Sequence, residues 1–273
     1  MKFLTLVDID LKKIFPILIV TFTIMTGLSA RMFYKAIDGI LVDIHGSLAQ
    51  GTTAAQIVAT EGQFTLSQMI DLGYQRHYVL FGFMFLFLVA LLSFYIWYKE
   101  WFGQSKRIYM LLTLRMPRFR HILSKLTVLL IGVIIFYGMI MLNLLIGDIM
   151  MRMMMPDGLV ASNNVRDVLA SAQFVGLGFS VPMSALHLIY HLLFATVGFS
   201  VITVWIMLDR SKRVLGFIAG LIYAIGAATV WIRILDMFLF YDERIFVDWG
   251  FVLIVNVLSL AISWWLINKK VTI

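Results

Sequence analysis

No cysteine occurs in the 273 residues. That excludes disulfides and thiolate metal sites. Charge is also scarce, at 14% of residues, where a soluble domain carries about 25%. Only four prolines are present, so few positions interrupt a helix. Three catalytic signatures are missing as well: the G-x-x-x-x-G-K-[ST] phosphate loop, the dinucleotide glycine fingerprint and the G-x-S-x-G elbow. The chain therefore has no ATP site of the phosphate-loop type and no recognisable soluble catalytic module.

What fills the chain instead is apolar sequence, 62% of all residues. It falls into long runs, and runs of about 20 residues span a bilayer as helices. Six spans are predicted, at residues 14–33, 78–98, 126–147, 183–208, 214–241 and 249–267. The expected fold class is all-α, a polytopic membrane protein forming one transmembrane domain over residues 1–273. Residues 1–13 place Phe3, Leu4, Leu6, Val7, Ile9 and Leu11 among Asp8, Asp10, Lys12 and Lys13. This composition suits a helix lying in the interface, and equally a helical extension of the first span. Cleavage after Ala30 is not expected, because Leu28 fits poorly near the cut and Asp8 and Asp10 dilute the basic start.

The net charge of +7 is distributed by side. Fifteen Lys and Arg fall with the two termini, the 99–125 loop and residues 209–213, and seven fall on the other face. The positive-inside rule puts both termini in the cytoplasm. No aromatic-interleaved basic groove is present, so the basic excess reads as orientation, with membrane lipids as surroundings and no nucleic acid. The outer loops, about residues 34–77 and 148–182, are too short for a catalytic ectodomain and suit short amphipathic helices.

Several constellations invite chemistry. His187 and His191 share a helix face at i and i+4, a zinc-compatible spacing, but Leu188 stands where a zincin has Glu. A metal-dependent membrane enzyme is therefore one alternative. Arg233 and Asp236, in the fifth span, would be costly in hydrocarbon unless paired, placed in an outer re-entrant turn, or lining an aqueous path. The last case gives a second alternative, an ion- or proton-coupled transporter. Gly216, Gly220, Ala224 and Ala228 recur every four residues and let a helix approach closely, within the bundle or across a dimer. Asn143 and Asn256 read as interhelical hydrogen-bond partners. Met151, Met153, Met154 and Met155 offer thioethers that suit Cu(I), yet Met is more simply a flexible apolar filler.

One segment departs from the rest: "YKEWFGQSKRIYMLLTLRMPRFRHILSKL", residues 98–126. A short helix from Ser105 to about Leu114 would put Ile108, Leu111 and Leu112 on one face, with Pro117 ending it. Such a helix can dock in a groove on a partner. The order of these residues resembles the type-2 (ABC-2) exporter class of bacterial ABC transporter permeases. Glu100, Trp101 and Phe102 match an acid and aromatic closing span two. Arg107, Ile108, Leu111 and Leu112 fall in the coupling helix, and Met116, Pro117 and Arg120 approximate the segment leading into span three. The match departs in having Arg115 and Met116 before the proline.

The resemblance implies a permease in the bacterial cell membrane, with a cytoplasmic coupling helix and no cofactor of its own. ATP and Mg would be held by two cytosolic ABC ATPase subunits. A second permease copy or homologue would complete a dimer. Such families export peptides, lipids or drugs, and several members confer resistance to antimicrobial peptides.

Overall fold

The computed structural model describes residues 2–66, 68, 87–99, 118–156, 158–162, 165, 185–212, 214–235 and 241–269. Seven helices have described bounds: α1 (Lys2–Ala49), α2 (Ala54–Glu61), α3 (Phe87–Lys99), α4 (Phe119–Met154), α5 (Ala185–Lys212), α6 (Val214–Leu235) and α7 (Tyr241–Lys269). Five of them, α1 and α4 to α7, are long and apolar enough to cross a membrane, the pattern of a multi-pass membrane protein. Of the expected second span, 78–98, only residues 87–98 are among the described residues, as part of α3. Five spans rather than six are therefore seen among the described residues.

Two helix boundaries differ from the expected spans. Of the two readings of residues 1–13, the helical extension is the one formed, and it reaches well past the expected span: α1 runs unbroken through Pro16 to Ala49. Its buried positions explain this, because Val7, Asp10, Ile14, Leu18, Met25, Ser29, Phe33, Ile37, Ile40 and Ile44 recur at three, four or seven residues along one stripe. After Ala30 the charged residues fall on the other side of that stripe, so the helix continues although its hydropathy drops. Helix α4 begins at Phe119, seven residues before the expected span, because His121, Ser124 and Lys125 are buried on its first turns. Helix α6 is described as far as Leu235 and α7 from Tyr241, the residues between them lying outside the described residues, and Glu243 and Asp248 lie inside α7.

The chain forms two compact units. The first holds Met1–Pro16, Leu86–Val133 and Leu186–Ile273, and the second holds Ile17–Phe85 and Ile134–Ala185.

In the first unit, α5 and α6 are joined almost directly. Gly216 and Gly220 make this possible. A Cβ at Gly216 would overlap the Leu208 carbonyl, and one at Gly220 would overlap the Trp205 ring. Trp205 also meets Phe94 of α3 and Phe217 of α6, with ring centroids 5.4 and 5.3 Å away. Helix α7 is held to α5 and α6 by a cluster around Val197, Val201, Ile234, Phe251 and Val252.

In the second unit, Phe33, Ile37, Ile40 and Ile44 of α1 pack with Leu144 and Met151 of α4 and with Ile57 of α2. Thr53 caps α2 reciprocally: the Thr53 amide donates to Gln56 Oε1 at 2.8 Å and the Gln56 amide donates to Thr53 Oγ1 at 3.4 Å. One isolated parallel bridge joins Phe64 to Val160.

Gly216→Ala should lower the thermal unfolding midpoint in detergent by several degrees, since its methyl group meets backbone. Gly226→Ala on the same helix has nothing within 4 Å and should be neutral or stabilising, by up to about 1 kcal/mol. Equal midpoints for the two variants would contradict this packing.

Candidate functional site

The most unusual chemistry among the described residues is a buried ion cluster in the first unit. Asp10 of α1 is 2% exposed and Lys125 of α4 is 1% exposed. Their Nζ–Oδ2 separation is 3.4 Å. Lys13, one turn along α1, also donates to the Asp10 carboxylate. The Lys125 ammonium lies 4.9 Å from the centre of the Trp97 ring, an attraction of about 0.5–2 kcal/mol. The Trp97 indole N–H donates to Thr203 Oγ1 at 3.1 Å, and the Thr203 hydroxyl donates to the Phe199 carbonyl at 2.8 Å. Four helices, α1, α3, α4 and α5, thus meet at one charged point. Two ammonium groups converge on one carboxylate, so removing Asp10 would take a negative charge from a poorly solvated place.

A second anchor lies nearby in sequence. Arg118, just before α4, donates from Nη1 to the Ile267 carbonyl near the end of α7 at 3.1 Å.

The residues singled out in the sequence fall as follows. Glu100, Trp101, Arg107, Ile108, Leu111 and Leu112 lie outside the described residues, as does Asp236. Gly216 and Gly220 face α5, and Ala224 packs against the α5–α7 cluster, while Ala228 is exposed. Arg233 is exposed on the last turn of α6.

Asn256 bridges α7 to α5. Its Nδ2 donates to the Leu193 carbonyl at 3.1 Å and to the Val252 carbonyl at 2.9 Å, and its Oδ1 accepts from Thr196 at 2.8 Å and Ser200 at 3.3 Å. Asn143 is buried on α4.

His191 is buried beside the Tyr190 ring, and the His187 side chain lies outside the description. No group of three metal-ligating His, Cys, Asp or Glu occurs among the described residues. The methionine run does not converge: Met151 and Met155 enter the second unit's core, whereas Met153 is 81% exposed.

The ion cluster escaped the sequence reading. Asp10 stands in the buried stripe between Val7 and Ile14, and that position was the available signal. By sequence alone, Lys125 reads as one basic residue of the 99–125 loop. Comparison with protein-family models, with curated proteins and with solved structures finds no match.

Replacing Asp10 with Asn should destabilise the protein by about 3–5 kcal/mol, because the buried Lys125 and the half-buried Lys13 both lose a carboxylate partner. Lys125→Met should cost less, since Asp10 keeps Lys13. The double variant should be less destabilised than the sum of the two. Strict additivity in a double-mutant cycle of unfolding would show that the pair does not interact.

Proposed function

We propose that the chain is the membrane-spanning permease subunit of an ATP-driven exporter of the type-2 ABC class. In this reading it sits in the bacterial cell membrane with both termini cytoplasmic. It works with a second permease copy or homologue and with two cytosolic ATPases that hold ATP and Mg. Its cargo is amphiphilic or hydrophobic, in keeping with the Met- and Phe-rich spans.

The observation that best supports the reading is how the basic segment is flanked. Trp97 precedes it and Lys125 follows it, and the two side chains meet in the buried ion cluster. A push delivered to residues 100–117 by a partner would act through both ends at once. From there it would reach α1 through Asp10 and α5 through Thr203. The Arg118–Ile267 bond extends the same path to α7. A loop that served only to orient the chain would need charge but not this anchoring. The resemblance of residues 98–126 to coupling segments supplies the identity of the partner.

Tagged protein purified from its native cells in mild detergent should bring down a Walker-motif ATPase. Ile108→Asp with Leu111→Asp should abolish that association. Trp97→Ala should leave the ATPase bound but lower hydrolysis by the assembled complex. Recovery of the chain without any ATPase, in membranes where it is active, would refute the reading.

A further inference from the structure

One end of the first unit gathers five helices. Asp10 of α1 meets Lys125 of α4, Trp97 of α3 lies against Lys125 and bonds Thr203 of α5, and Arg118 bonds Ile267 of α7. Three acids occur among the described residues there, Asp8, Asp10 and Asp209, and each is matched. Asp8 pairs with Lys12 at 2.8 Å, Asp10 with Lys13 and Lys125, and Asp209 with Arg210 at 3.4 Å.

Arg118 and Arg120 have no acid among the described residues. Arg118 uses one N–H on the Ile267 carbonyl, a neutral acceptor, and a guanidinium carries five. Arg120 is exposed. It stands in the first turn of α4, where the helix dipole disfavours a cation and no acid offsets it.

The depth of this pair is marked on two helices. On α4 both arginines come just before the uncharged stretch Leu126–Gly147. On α7 the apolar stretch runs from Phe246 to Asn268, and Arg118 is bonded to Ile267 at its end. Trp264, one turn before Ile267, is 52% exposed. An exposed Trp at the end of a span belongs to the headgroup level. Arg118 is therefore held where hydrocarbon gives way to headgroups.

Orientation in the membrane requires positive charge on one side, but not a guanidinium pinned at one depth beside a tryptophan. That set suits a phospholipid. The planar fork takes two phosphate oxygens at once. Cations without a carboxylate favour a headgroup of net negative charge over a zwitterionic one.

We propose that Arg118 and Arg120, with Trp264 one turn from the Arg118 anchor, form a binding site for the phosphate of an anionic phospholipid in the leaflet at this end of the molecule. The site requires a membrane and no ATPase, so it and the exporter reading can fail separately.

Phospholipids with brominated acyl chains quench tryptophan on contact. The share due to Trp264 is the difference between the native protein and Trp264→Phe. In phosphatidylcholine vesicles, a minor fraction of brominated phosphatidylglycerol should quench that share at least about tenfold more effectively than the same fraction of brominated phosphatidylcholine, in line with two cations near an anionic surface. Arg120→Gln should lower the preference about fivefold, the effect of one such cation, and Arg118→Gln with Arg120→Gln should abolish it. Lys12→Gln, whose lysine already faces Asp8, should leave it intact. Equal quenching by the two lipids overturns the site, as does a preference that survives Arg120→Gln in full or that Lys12→Gln lowers as much. Loss of the preference on adding inorganic phosphate would show a site for free anions and overturn the lipid as its ligand. Arg120 makes no contact that folding needs, so the measurement stands even if Arg118→Gln fails to fold.

Discussion

A carboxylate held between two lysines, out of reach of water, constrains the first unit more than any apolar contact there. Apolar side chains tolerate small slips, since dispersion is non-directional and each contact is weak. A buried ion pair does not. Advancing α1 by one residue would rotate Asp10 by about 100° and carry its carboxylate away from Lys125. The register of α1 against α4 is thus set by charge, and the aromatic face of Trp97 extends the same constraint to α3. Through its indole N–H, the constraint reaches Thr203 on α5. The packing around Gly132, which would crowd Leu92 and Ile14 if it carried a side chain, fills the space that the ions define.

Polar groups do three different jobs in this apolar chain. The Asp10–Lys125 cluster fixes register. The Asn256 amide acts as a clasp, tying α7 to backbone and hydroxyl groups of α5 where the Tyr223–Ser259 contact at 2.7 Å adds α6. Asn143 and Thr26, whose side-chain polar atoms are buried without a hydrogen-bond partner, do neither. Within one chain, a single residue type thus serves as cement in one helix and as an open valence in another. The difference is decided by whether the facing helix presents oxygen atoms at the right level.

Much of the architecture was legible because membrane spans are read from length and the absence of charge, and both are local properties. The same holds for the small-residue stripe at Gly216 and Gly220 and for the interhelical role of Asn256. The ion cluster was not legible for the opposite reason. Its partners lie 115 residues apart, and each has a sufficient local explanation, Asp10 as an interfacial residue and Lys125 as a topological charge. The full extent of α1 was hidden by its composition. Beyond Ala30, Arg31, Lys35, Asp38 and Asp43 make the sequence look like a loop, whereas Phe33, Ile37, Ile40 and Ile44 keep one side apolar. A fall in mean hydropathy marks a change of surroundings, not the end of a helix.

Helix α6 stands apart in how little of it is covered: 11% of its apolar stretch is buried, against 61% for α5. Its 22 residues measure about 33 Å, close to the hydrocarbon thickness of a typical bilayer, about 30 Å. Arg210 and Lys212 precede its start, and Arg233 sits on its last turn. In a bilayer, a helix bracketed by cations acts as a ruler. In a thicker membrane Arg233 would be drawn toward the hydrocarbon, and in a thinner one the apolar turns would emerge into the headgroups. Either mismatch would be relieved by tilting α6. Gly216 and Gly220 press that helix against the backbone of Leu208 and the ring of Trp205, so lipid thickness becomes a mechanical input to the packing of the first unit.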